Sequence, residues 1–164
     1  MIKIYGAGLA GLLSANILRK HSPTIHEVQP TLPHTHAALL RFRTDKVGTA
    51  CAIPFKKVKV SKAIQYEYKI ETQPNLFFSN MYSQKVASAV LSRSIDNLET
   101  VERYISPQDI VSQMANGCDI QYNQELNQYE IFDELPKIST IPMPTLMKIV
   151  GWPDVPDFPH QKIW

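Results

Sequence analysis

The chain has only two cysteines in 164 residues, Cys51 and Cys118. They lie too far apart in sequence for a metal-ligand spacing and make no disulfide framework. No run reaches the roughly twenty apolar residues that a bilayer-crossing helix needs. An excess of one charge is missing too: 17 Lys and Arg are scattered among 15 Asp and Glu, for a formal net charge of +2. Even Lys56-Lys57-Val58-Lys59 is too short a basic stretch to demand nucleic acid. Neither internal repeats nor low-complexity tracts occur. What remains is an ordinary globular composition, 44% hydrophobic and 20% charged, long enough for one domain with a proper core. Lys3 ahead of an apolar segment imitates a secretory signal, but the segment ends in Arg19-Lys20 and lacks a small-x-small cleavage site. These features lead to the expectation of a cytoplasmic protein acting on a small molecule, without nucleic acid or membrane.

The first eleven residues hold the most specific pattern. Ile2-Lys3-Ile4-Tyr5 reads as a strand and runs directly into Gly6-Ala7-Gly8-Leu9-Ala10-Gly11, with Ala15 one turn further on. In such a strand-to-helix turn each glycine has its own task. Gly6 permits the tight turn, Gly8 lets a pyrophosphate approach the backbone, and Gly11 lets the helix pack closely on the sheet. The amides of the first helical turn lack intrahelical acceptors and carry the positive end of the helix dipole, which suits a diphosphate. Glu27 ends the next apolar run, Thr24-Ile25-His26-Glu27-Val28, about twenty residues after Gly6, where an acid hydrogen-bonds a ribose hydroxyl. Small residues also cluster at turns for packing alone. Here the preceding strand, the apolar helix (Leu9, Leu12, Leu13, Ile17) and the following acid supply the context of a dinucleotide-binding fingerprint.

Strand, helix and strand up to Gln29 predict a parallel pair joined by a helical crossover. From Pro30 the pattern changes to period two. Ala38, Leu40 and Phe42 alternate with Leu39, Arg41 and Arg43. Val58 and Val60 alternate with lysines, and Ile64, Tyr66, Tyr68 and Ile70 alternate with polar residues. An antiparallel β insertion is therefore expected over 30–80, with Ser61-Lys62-Ala63 linking two of its strands. Helical spacing returns from Met81 to Ile95. Ser106-Pro107 predicts a helix start, closed by Asn116-Gly117. Short strands are expected at Asp119–Tyr122, Tyr129–Phe132 and Lys137–Ile141, followed by a proline-rich tail over 142–164. The expected fold class is α/β, a single Rossmann-like FAD/NAD(P)-binding domain over 1–164 with a parallel sheet and an antiparallel β insertion.

The stretch Gly6-Ala7-Gly8-Leu9-Ala10-Gly11-Leu12, with Ala15, resembles the amine-oxidase and UDP-galactopyranose-mutase type of flavoprotein. Ile138-Ser139-Thr140-Ile141-Pro142 looks like the strand that re-enters the cofactor domain of that family. Asp119-Ile120-Gln121-Tyr122 looks like the strand whose downstream apolar residue, here Leu126, touches adenine. The resemblance implies FAD as cofactor and an FAD-dependent oxidoreductase, or the cofactor-binding part of one. It places Gly6, Ala7, Gly8, Leu9, Ala10 and Gly11 at the pyrophosphate, and Glu27 and Val28 at the adenosine. Thr140, Ile141 and Pro142 would lie near the cofactor. The family's glycine-rich segment with an arginine is replaced here by residues 34–43, where Arg41 or Arg43 fills that place. Its late Gly-Asp motif does not occur before Trp164. The expectation is thus a front part, its tail leading toward a further C-terminal part or a partner chain that completes the fold. Two rival readings stay open: an NAD-dependent enzyme, and a non-catalytic dinucleotide-binding module completed by a partner chain.

Other residues invite weaker readings. His34 and His36 suggest a metal pair, but no third ligand follows from spacing, so the expectation is no metal. Asp45, Glu67 and Glu71 read as surface charges. Arg93 and Arg103 would suit an anion clamp, with a surface ion pair as the favoured alternative. Tyr66, Tyr68, Phe77, Phe78 and Tyr82 read as core more than as a cavity lining. Cys51 reads as a buried thiol. No catalytic residue can be named.

Overall fold

The computed structural model describes residues 2–36, 39–61, 63–72, 75–90, 100–131 and 134–157. They divide into two compact units. The first comprises residues 1–40, 45–55 and 106–164, and the second 41–44 and 56–105.

The first unit is built on four parallel strands, β1 (Lys3–Tyr5), β2 (Thr24–His26), β8 (Asp119–Gln121) and β9 (Lys137–Ser139), in the order β8-β2-β1-β9. Each has the same grammar: polar, isoleucine, polar or aromatic. In register, Ile4 stands beside Ile25 and Ile138, and Ile25 beside Ile120, so one apolar row crosses the sheet. Period two sends that row to one face. There it meets the helices α1 (Leu9–Ile17) and α4 (Ile110–Ala115), and Ile4, Leu12, Ala15, Ile25, Ile110 and Met114 share one buried cluster. The Asn16 side-chain amide ties the two helices, donating to the Met114 carbonyl at 2.8 Å. The opposite face carries Lys3, Tyr5, Thr24, His26, Asp119 and Gln121. On it the Thr24 hydroxyl donates to Asp119 Oδ2 at 2.9 Å and the rings of Tyr5 and His26 stack at 5.1 Å.

The second unit holds a three-stranded antiparallel sheet, β3 (Arg41–Phe42), β7 (Val101–Ile105) and β4 (Lys56–Val60), with β7 central. A separate hairpin pairs β5 (Ile64–Tyr66) with β6 (Lys69–Glu71). The helix α3 (Leu76–Ala87) follows it.

An α/β fold with a parallel sheet and separate antiparallel pairs matches the expectation. Several elements differ from it. The run Ile64–Ile70 is two strands, because the chain reverses at Glu67, whose φ is +53°, and β4 pairs with β7 across the unit. That central strand, Val101–Ile105, carries no strict alternation and escaped the pattern reading. Helix α3 begins before Met81, because the Asn75 side chain accepts from the amides of Phe77 and Phe78 and starts the helix there. Helix α4 starts three residues after Pro107. Tyr129–Phe132 was expected as a strand, yet Gln128–Ile131 is a short helix, α5, because Asn127 Oδ1 accepts from the Tyr129 and Glu130 amides. A further helix, α2 (Lys46–Cys51), lies within the span expected to be β insertion and belongs to the first unit. The proline-rich tail opens with α6 (Met143–Ile149), with Pro142 at the cap and Pro144 in its first turn.

Candidate functional site

The order β8-β2-β1-β9 has a consequence for where a ligand can sit. In chain order the four parallel strands are first, second, third and fourth, while in space they run third, second, first, fourth. The direction of winding therefore reverses between β1 and β9, and in open α/β sheets ligands bind outside the carboxyl ends of the strands at that reversal. Gly6 follows the carboxyl end of β1, and Thr140 that of β9.

Gly6 has a φ of +96°, a conformation that L side chains rarely adopt. A Cβ placed on Gly11 would overlap the Gly6 carbonyl oxygen, so helix α1 leaves the turn at a distance that only glycine permits. A Cβ on Gly8 meets nothing within 4 Å, and the space above this backbone is open. The first i→i−4 bond of the helix runs from the Leu12 amide to the Gly8 carbonyl at 3.0 Å. The amides of Gly8, Leu9, Ala10 and Gly11 precede it, at the end where the dipole favours an anion. The open space over Gly8, at the start of the helix, fits a diphosphate.

Glu27 is 8% exposed at the carboxyl end of β2. Its Oε2 accepts from the Ala7 amide at 2.6 Å and its Oε1 from the Gln29 amide at 2.9 Å. The acid is therefore built into the turn. A carboxylate offers about four acceptor positions, so these two bonds leave room for more. Ala7 is buried and its amide is committed to Glu27. Val28 is exposed beside the acid, and Leu126 is buried just beyond β8, where the Gln124 amide donates to the Glu27 carbonyl at 2.9 Å. The Thr140 hydroxyl reaches the carbonyls of Tyr5 and Gly6, both at 3.0 Å. Ile141 is half-buried, and Pro142 is exposed at the start of α6. Arg41 and Arg43 belong to the second unit.

The remaining candidates scatter. Among the described residues no three His, Cys, Asp or Glu form a group able to hold a metal ion, and no helix is long and apolar enough to cross a membrane. His34 Nδ1 lies 2.7 Å from Ser112 Oγ, which also donates to the His34 carbonyl at 2.9 Å, beside an open groove of about 620 Å³. That pairing of a loop residue with a helix residue was invisible in the sequence, because 78 residues separate the partners. Asp45 is exposed at the start of α2, and Glu67 is exposed in the hairpin turn. The arginine clamp cannot be placed, since Arg93 lies outside the described residues; Arg103 Nη1 donates to the neighbouring Glu102 carbonyl. Of the aromatic set, Tyr68, Phe77 and Tyr82 are exposed and Phe78 is half-buried, so these four are not core; the Tyr66 side chain lies outside the described residues. Cys51 and Cys118 are half-buried free thiols, and burial pushes both up from the ordinary thiol range. Arg19 pulls both the other way, and Cys118 adds to the rise at Cys51.

Fold and turn together define an α/β domain of Rossmann-like architecture. No protein-family model matches the chain, and no curated protein matches it in sequence. Among solved structures it is similar to part of 2-methyl-3-hydroxypyridine-5-carboxylic acid oxygenase, with a TM-score of 0.41 and 15% identity over 74% of this chain and 31% of that one. It is also similar to part of a flavoprotein/dehydrogenase from Cytophaga hutchinsonii (TM-score 0.38, 18% identity, 74% of this chain, 29% of that chain). A third is aklavinone-11 hydroxylase, solved in a ternary complex with FAD and aklavinone (TM-score 0.38, 16% identity, 74% and 25%). The chain spans less than a third of the length of each.

Proposed function

We propose that this chain is the dinucleotide-binding domain of an FAD-dependent oxidoreductase, of the amine-oxidase and UDP-galactopyranose-mutase type that the Gly6–Ala15 stretch resembles. One observation carries the reading. At the reversal point of the sheet, a buried carboxylate is bonded to the same turn whose backbone at Gly8, where α1 begins, faces open space. In this proposal the amides of Gly8, Leu9, Ala10 and Gly11 hold the pyrophosphate and the free acceptor positions of Glu27 take an adenosine ribose hydroxyl. Val28 and Leu126 flank the adenosine, with Ile141 and Pro142 toward the flavin side. Bound flavin would supply the hydride or electron chemistry, while the chain supplies position and exclusion of water. A small-molecule substrate, and a partner chain completing the fold, belong to the same proposal.

The test is to denature the purified protein and measure the mass and visible spectrum of what is released. FAD is expected. A colourless protein whose melting temperature rises only with NAD, through the linkage of binding to folding, would overturn the choice of cofactor. Indifference to both would overturn the site.

A further inference from the structure

We infer that Thr140 is a positioning residue for the phosphate turn, acting through the peptide unit that joins Gly6 to Ala7; the inference rests on the reading of that turn as a diphosphate site. The Gly6–Ala7 peptide is gripped at both ends by side chains from outside the turn. Its carbonyl accepts from the Thr140 hydroxyl at 3.0 Å, and its N–H donates to Glu27 Oε2 at 2.6 Å. Those side chains come from the ends of β9 and β2, the strands that flank β1 on either side.

Space as well as bonding puts Thr140 in this role. Its own amide donates to the Tyr5 carbonyl at 2.9 Å, which continues the β1–β9 pairing and fixes where the side chain starts. Its hydroxyl also reaches the Tyr5 carbonyl at 3.0 Å, so the one proton is shared between two successive carbonyls. Oγ1 lies 2.8 Å from where a Cβ on Gly6 would be and 3.2 Å from one on Gly11. The hydroxyl thus occupies the room that the two glycines vacate. The Gly6 carbonyl is confined between this hydroxyl and the helix backbone at Gly11. A peptide plane held so has one orientation, and that orientation aims the following amides. If the peptide rocked, the amides of Gly8 to Gly11 would lose their common direction, and preorganisation is what makes such donors effective toward an anion.

The residue would thus touch no ligand and yet set the affinity for a diphosphate. Thr140→Val keeps the β-branched shape and removes the donor, whereas Thr140→Ser keeps the donor and removes the methyl. Binding of ADP and of adenosine is measured by calorimetry for each variant. Exchange of the amides of residues 7–11 is measured without ligand. Thr140→Val should weaken ADP about three- to tenfold, the scale of one neutral hydrogen bond. It should leave adenosine unchanged and speed exchange across the turn, and Thr140→Ser should restore both. Unchanged ADP affinity and exchange in Thr140→Val would overturn the inference. So would a Ser variant as weak as the Val variant, or equal losses for ADP and adenosine. Failure of the unsubstituted protein to bind ADP at all overturns the proposed function instead, and the exchange comparison then still decides whether Thr140 orders the turn.

Discussion

In the first unit Ile4, Leu12, Ile25, Ile110 and Met114 are almost sealed from solvent, whereas in the second the buried side chains among the described residues are Ser79 and Ser83. The second unit instead exposes large apolar groups: Tyr68, Ile70, Leu76, Phe77, Met81 and Tyr82. Helix α3 departs from an ordinary surface helix: Ser79 and Ser83 are buried while Leu76, Phe77, Met81 and Tyr82 are exposed. Among the described residues the hairpin β5–β6 belongs to no larger sheet, and an isolated two-stranded hairpin is marginal in water. The parallel-sheet unit therefore contains its own stabilising core, and the glycine turn is built on that core. The second unit draws on strand pairing and an exposed Lys57–Glu102 ion pair, 2.9 Å long, of a kind that contributes little.

Core truncation gives the largest test of this contrast. Ile25→Ala removes buried methyl groups from the middle of the isoleucine row and should cost about 2 to 5 kcal/mol of unfolding free energy. Phe77→Ala in the second unit should stay within about 0.5 kcal/mol. Denaturant unfolding checks both, and equal losses would erase the distinction. A finer comparison lies inside the first unit. Gly11→Ala forces a methyl against the Gly6 carbonyl and should destabilise by about 1 to 3 kcal/mol. Gly8→Val meets open space, so its melting temperature should hold while ADP binding falls by at least about tenfold, roughly one lost charged hydrogen bond. A stable Gly11→Ala, or a Gly8→Val that binds normally, would contradict the assigned division of labour. Smallest is Ser79→Ala. The Ser79 hydroxyl is fully buried with no hydrogen-bond partner among the described residues. Deleting a buried group that makes no bond should be neutral or raise stability by up to about 1 kcal/mol. A clear loss would show that the second unit relies on that hydroxyl.

The glycine turn between β1 and α1 was legible in the sequence because its requirements are local. Gly6 and Gly11 answer to backbone conformation and close approach within one turn, and Glu27 to the length of a single crossover. The isoleucine row was legible as short apolar runs, since period two needs only neighbours. Misreadings fell where local patterns compete. Tyr129–Phe132 has the residues of a strand, yet the Asn127 cap turned it into helix. The regular alternation of Ile64–Ile70 concealed a reversal at Glu67. The aromatic set read as core because burial is the usual fate of such residues, but burial depends on what the rest of the chain packs against them.

By itself the amino-acid order determined the strand-turn-helix at the amino terminus, the spacing of its acid and the α/β class, since each depends on contacts within about thirty residues. Only tertiary structure decided that β9 lies beside β1 and so brings Thr140 over Gly6, that His34 meets Ser112, and that Leu76, Phe77, Met81 and Tyr82 of α3 are exposed. Those facts depend on pairing between segments far apart in the chain, where no spacing rule applies and the packing of the whole selects the partner.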